Sequence, residues 1–232
     1  MPVVRKPKQS NAISYNTRNF ADQVALDCPD IYYRFNEKTG SIAIDRSGFN
    51  RNGSYSTVTF LTNDLANNKD SSVKSLNATY NNTFNDRSEM SAEVLVSIPY
   101  LPIQGMFFTI GGSTGFGLGL GNGDFVNNGY SLVGVANNIS WLNTGFYVTT
   151  GTHHFAITVD SQSYFRIYAD GKLVSTSYCY YQVPDGNAYL GGYPGGYGAN
   201  DALIYDEFAF YNSCLPGSRI RSHWNAAKLG VA

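Results

Sequence analysis

Residues 153 to 174, HHFAITVDSQSYFRIYADGKLV, constrain the fold more than any other stretch. Side chains alternate between the two faces of a strand, so only residues two apart share a face. His153, Phe155, Ile157 and Val159 make an apolar row, and His154, Ala156 and Thr158 a more polar one. Adjacent histidines on a strand cannot close on one metal ion, so the pair reads as part of a half-buried strand. Asp160 to Ser163 supply turn formers, and Tyr164 to Ala169 resume the alternation. Asp170-Gly171 is then a strong signal for a two-residue hairpin turn, because primed turns need positive φ. Both aspartates thereby have a structural reason to be present, and Lys172 to Thr176 would return as the next strand.

The rest of the chain repeats this vocabulary. Short alternating runs, among them DIYYRF, SIAID, SAEVLVSIPYLP, GMFFTIGG, GYSLVGVA and ISWLNTGFYVT, are separated by turns. With 24 Gly, 18 Tyr and only 14% charged residues, the balance suits a loop-rich all-β protein. Residues 60 to 90 are polar and rich in Asn and Ser, and predict long loops with short edge strands. Only 216 to 228 reads as a helix, with Pro216 near its start. A length of 232 residues fits one large β domain. The first twenty residues differ: Arg5, Lys6, Lys8 and Arg18 precede any acidic residue, and hydrophobic periodicity is almost missing. Residues 1–24 are therefore expected to form an extended basic arm, and 25–232 the domain.

A net charge of -1 argues against a general nucleic-acid binder, which needs a basic face to displace counterions. No run approaches a membrane span, and the N-terminus lacks the apolar region of a secretory signal. Cys28, Cys179 and Cys214 are odd in number and widely spaced, which favours thiols in a reducing compartment over a disulfide framework.

Three segments, in order, resemble the laminin-G-like and pentraxin-like branch of the concanavalin A-like lectin and glucanase superfamily. YYRFNEKTGSIAIDRSGFNRNGSY is similar to that family's opening motif, GTHHFAITVDSQSYFRIYADGKLV to its central hairpin, and YDEFAFYNSCLPGSRIRSHW to its last strand and short helix. Thr152 stands where the family often has Trp. The resemblance implies a two-sheet antiparallel jelly-roll sandwich with a short C-terminal helix. It also implies ligands on the concave face or its rim, and a structural calcium on the outer side. By resemblance Asp206 is the position expected to hold Ca2+, with Asp45 as a neighbour; the alternative is that Asp206 accepts hydrogen bonds from a loop.

Catalysis finds little support. Glucanases of this fold resemble one another in a Glu-x-Asp-x-x-Glu strand, and none of Glu37, Glu89, Glu93 and Glu207 stands in that pattern. Glu89 and Glu93 would share a strand face but lie about 13 Å apart, beyond the roughly 6.5–9.5 Å of inverting glycosidases. In GFGLGLGNGD alternate glycines leave one strand face bare, against which something large is expected to pack. GGYPGGYG presents Tyr193 and Tyr197, suited to stacking on a sugar or a protein neighbour unless they fold back on the sandwich.

The expectation is a non-enzymatic lectin-like protein displayed on a larger assembly such as a bacteriophage virion, as a decoration or fibre component. Its basic arm would engage other virion proteins, and homo-oligomers and host-surface glycans are compatible partners. The alternative is an extracellular carbohydrate-binding module or adhesin using calcium; a polysaccharide-degrading enzyme is a distant third.

Overall fold

The computed structural model describes residues 18–66, 70–81, 88–121, 130–137, 140–192 and 201–228. Arg5, Lys6, Lys8, Tyr193 and Tyr197 lie outside the described residues, and Arg18 is exposed at their start. The elements in chain order are α1 (Phe20–Leu26), β1 (Ile31–Tyr33), β2 (Ile42–Ala43), β3 (Gly53–Phe60), β4 (Val73–Tyr80), β5 (Met90–Ile98), β6 (Gly105–Ile110) and β7 (Phe116–Leu120). They continue as β8 (Ser131–Ala136), β9 (Ser140–Tyr147), β10 (Gly151–Val159), β11 (Tyr164–Ala169), β12 (Lys172–Tyr178), β13 (Ala188–Leu190), β14 (Ile204–Tyr211) and α2 (Gly217–Lys228). Among the described residues no helix is long and apolar enough to cross a membrane.

The strands form one antiparallel ribbon in the order β12-β11-β10-β5-β14-β4-β13-β6-β7-β8-β9, with β1 on β14 and β2 and β3 continuing from β4. The ribbon folds over a shared core and brings β12 against β9. Phe155, Ile157, Val159, Phe165, Val94 and Phe208 from one half meet Phe107, Phe108, Phe116, Leu118 and Leu120 from the other. Phe107 stacks on Phe155 with ring centres 5.0 Å apart, and Phe108 meets Phe208 edge-on at 5.4 Å. This is the expected two-sheet sandwich. The apolar row of the hairpin faces its core, and Asp170 and Gly171 take φ of 52° and 71°, the left-handed pair that a primed turn requires.

A third layer covers the outer face of the β5-β10-β14 sheet. Phe20 and Val24 of α1 and Ile220 and Ala227 of α2 pack there with Leu95, Ala156, Ala209 and Tyr211. The helix α1 corrects the expected arm, whose boundary at residue 24 falls inside it. Asn19 caps the helix, its side chain accepting from the Asp22 amide at 2.9 Å, and Phe20 and Val24, four apart, are fully buried. Seven residues make a helix too short to persist alone. Docking holds it, since the Arg219 Nε of α2 donates to both Asp27 oxygens at 3.0 Å. The 60–90 stretch also differs from the expected short edge strands, because its strand β4 is eight residues long and is paired on both sides, with β3 on one and β13 and β14 on the other.

Candidate functional site

A bulge in β14 creates the most charged site. Register with β5 shifts between Asp206 and Ala209, and Glu207 has a φ of 54°. Tyr205 and Phe208 both point into the core, so the two residues between them, Asp206 and Glu207, share the outer face, fully buried. Glu207 accepts from the Tyr32 hydroxyl in a very short hydrogen bond and from Arg34 Nε at 3.3 Å. Asp206 Oδ2 accepts from the Leu65 amide at 3.0 Å, whereas its buried Oδ1 has no hydrogen-bond partner.

Two further carboxylates converge on Asp206. Asp70 Oδ2 accepts from Arg34 Nη2 at 2.5 Å and from Asn36 at 3.3 Å, and its Oδ1 is buried without a partner. Asp64 accepts from the Ala66 amide at 2.7 Å. One oxygen from each of Asp64, Asp70 and Asp206 lies within 4.8 Å of the others. Burial, reinforced by Glu207, lifts the Asp206 carboxyl well above the usual range. Burial likewise raises Glu207, outweighing Arg34 and Tyr32, and raises Asp70 against the pull of Arg34.

Arg34 thus pairs with two of the four clustered carboxylates, Asp70 and Glu207, and one buried oxygen each of Asp70 and Asp206 is without a hydrogen-bond partner. An all-oxygen set of this kind fits a hard cation such as Ca2+, which could take the orphaned oxygens without breaking any of the hydrogen bonds described above. Asp206 is therefore gathered where a cation would be held, and it also accepts from a loop amide. Its neighbours are Asp64 and Asp70, and Asp45 is not in that group. Asp45 is spent on its own loop: Oδ1 accepts from the Tyr32 and Ser47 amides at 3.0 and 2.9 Å, and Oδ2 from the Ser47 hydroxyl and the Arg51 amide at 2.7 and 2.9 Å.

A second buried network centres on Glu93 of β5. It accepts from His154 Nε2 at 2.8 Å, from His223 Nδ1 at 2.9 Å, and from the Tyr211 hydroxyl in a very short bond. His223 Nε2 reaches Asp27 Oδ2 at 2.8 Å, so both ring nitrogens donate to carboxylates and the imidazole is cationic. Burial opposes that charge, but Glu93 and Asp27 overcome it and lift the His223 pKa to about 9. Burial would raise Glu93, yet His223 and His154 hold it far below the usual range. Phe20 and Trp224 close over the His154 ring. His153 lies on the opposite face, with Nδ1 2.9 Å from Asp170 and Nε2 3.0 Å from the Thr149 carbonyl. The adjacent histidines are thus separated, as alternation requires.

The bare glycine face of β7 is covered by Met106. A Cβ on Gly119 would lie 2.9 Å from Met106 Sδ, and one on Gly117 2.9 Å from Met106 Cε and 2.7 Å from Thr109 Cγ2. Among the described residues, open space includes two clefts of about 510 Å3 each. One is walled by α1 and the loop 46–49, and the other is lined by Lys38, Phe60 and Asp70; both include Asn36.

The antiparallel sandwich is a lectin-type β fold. The chain belongs to the concanavalin A-like lectin/glucanases superfamily, its laminin G profile matching residues 67–221. No curated protein sequence matches it significantly. Among solved structures, it is similar to domain 4 of AbnA, a GH43 extracellular arabinanase from Geobacillus stearothermophilus, in complex with arabinotriose. The TM-score is 0.63 at 15% identity over 83% of this chain and 96% of that domain. The botulinum neurotoxin serotype D binding domain gives 0.63 at 14% identity over 86% of this chain and 52% of that one. Trypanosoma rangeli sialidase with sialic acid gives 0.63 at 15% identity over 88% of this chain, which spans only 36% of the sialidase. At these identities the likeness is one of fold.

Proposed function

We propose that the chain is a non-enzymatic, lectin-like domain that binds glycans, and that it is displayed on a larger assembly such as a bacteriophage virion through the residues before 18. The observation carrying the non-catalytic part is the position of its carboxylates. Asp206 and Glu207, the adjacent acidic pair, have no exposure to solvent. Glu37 is held by the Ile44 amide and the Tyr55 hydroxyl, and Glu93 by two histidines. A glycosidase needs an acid and a base reaching a bound sugar from an open cleft, and these groups serve the fold instead.

Glycan binding is supported by the family and by neighbours whose descriptions include an arabinotriose complex and a toxin binding domain. Exposed rings able to stack on a sugar are present: Tyr164 and Tyr178 sit 5.6 Å apart at the end of the β11-β12 edge, the latter 65% exposed. A calcium held by Asp64, Asp70 and Asp206 would pin the loop after β3 to β14. Display is supported by the basic residues Arg5, Lys6, Lys8 and Arg18 that precede a helix, α1, anchored to the domain. Peptide mass spectrometry across a density gradient of the native source tests display: the chain should travel with large particles, and a chain found only in light fractions refutes it.

A further inference from the structure

The cleft between α1 and the loop after β2 carries donors and a ring that the fold leaves open. Its walls carry Arg34, Arg46, Tyr32 and Phe49, with Asp22 and Ala25 on the helical side. Arg46 is exposed; its Nη2 comes only within 3.5 Å of Asn36 Oδ1, and no carboxylate pairs with it among the described residues. Arg34 spends Nε on Glu207 and Nη2 on Asp70, which leaves Nη1 without a hydrogen bond among the described residues. Phe49 is 57% exposed, an unusual place for a phenyl ring, and the Arg51 guanidinium lies 5.0 Å over it.

The loop carrying Arg46 and Phe49 is also built to hold still. Asp45, buried, ties it through the four bonds described above, its own amide donates to Asn52 Oδ1 at 2.8 Å, and the Phe49 amide donates to Ser47 Oγ at 3.3 Å. The Arg46 amide donates to the Tyr32 carbonyl at 2.8 Å, which fixes this wall to β1. A ligand therefore meets a preorganised surface and does not have to order a loose one. A guanidinium with open donors selects a planar oxyanion, an aromatic face beside it selects the C–H face of a ring, and a carboxylate opposite accepts hydroxyl protons.

We propose that this cleft binds an acidic sugar residue, a uronate or a sialate, with its carboxylate on Arg46 and Arg34 Nη1, its ring against Phe49 and a hydroxyl donating to Asp22. The inference rests on the reading of the chain as a glycan-binding domain and names its ligand class. Asp45 acts as a positioning residue for the loop.

The test is isothermal titration of the full chain with oligogalacturonate and with sialyllactose. Methyl-esterified oligogalacturonate and lactose are the neutral counterparts, and wild type is compared with Arg46→Gln and Phe49→Ala. Both substitutions fall on exposed side chains, so melting temperatures should stay at the wild-type value. Binding of at least one acidic probe, weakened about tenfold or more by either substitution and by added salt, is the expected result. Which probe binds distinguishes uronate from sialate. Acidic and neutral probes binding alike, or acidic binding indifferent to both substitutions, overturns the cleft assignment and leaves the glycan-binding reading standing. Failure of the wild type to bind any glycan, neutral ones included, overturns both.

Discussion

Replacing Glu93 by Gln is the sharpest probe of how the helical layer is held. The carboxylate accepts from His154, His223 and Tyr211 with no exposure to solvent. An amide keeps the shape but removes the charge, turns one acceptor into a donor facing imidazole N–H groups, and leaves His223 with Asp27 as its only counter-charge. Breaking one partner out of a buried ion pair costs about 3–5 kcal/mol. For a domain of this size, each kcal/mol shifts the melting temperature by about 2–4 °C, so a fall of roughly 6–20 °C is expected at pH 6. The pH dependence carries a second signature. His223 has a folded pKa of about 9 against an unfolded value of 6.5. Its stabilisation is therefore complete below pH 6.5 and is lost as pH rises through 9. The slope is about 1.4 kcal/mol per pH unit, and about 3 kcal/mol in all. Glu93, depressed from 4.5, contributes in the opposite sense, and its share is lost on acidification below that value. Urea denaturation at pH 6 and pH 9.5 reads both: wild type should lose about 3 kcal/mol between them, and Glu93→Gln much less. A variant with unchanged midpoint and an unchanged pH slope would refute the reasoning.

The carboxylate cluster predicts that wild type melts roughly 5–10 °C higher in calcium at a hundred times its dissociation constant than in chelator, about 2.7 kcal/mol of linkage. Asp206→Asn should abolish that difference, and identical melting in calcium and chelator removes the metal from the account. On the proposed display role, removing residues 1–17 should leave the melting temperature unchanged while abolishing co-sedimentation with large particles. Phe20→Ala, by contrast, empties a fully buried site and should cost about 3–5 kcal/mol by denaturant unfolding. Gly117→Val should lower stability by about 1–3 kcal/mol or more, because its Cβ would lie 2.8 Å from the Phe108 carbonyl oxygen, which is backbone and cannot swing aside.

The strand pattern was legible wherever alternation and turn chemistry agree. The 153–174 hairpin, the bare face of β7 and the helix after Pro216 follow from local rules that packing reinforces. The helix α1 was not, because seven residues carry too little periodicity; Asn19 as cap and the Phe20 and Val24 spacing were the only local marks. The length of β4 was not legible, since polar residues such as Lys74, Ser75 and Asn77 read as loop or short edge strand and its stability comes from pairing with β3, β13 and β14. The site was legible only at Asp206. Its partners Asp64 and Asp70 sit in a polar loop indistinguishable in composition from its surroundings, and a bulge in a distant strand brings them together. The Glu93 network joins Asp27, His154, Tyr211 and His223, and no spacing in the chain points to that meeting. Glu93 invited comparison with Glu89 along one strand, yet its chemistry faces two helices.

On the proposed function, this domain holds glycans without cutting them. Equilibrium binding to a panel of neutral and acidic oligosaccharides, with new reducing ends assayed in the same mixtures after prolonged incubation, tests it most directly. Saturable binding to at least one glycan with no reducing ends above the no-protein control is the predicted result. Release of reducing ends that Glu207→Gln or Asp206→Asn abolishes, or no binding anywhere on the panel, would contradict it.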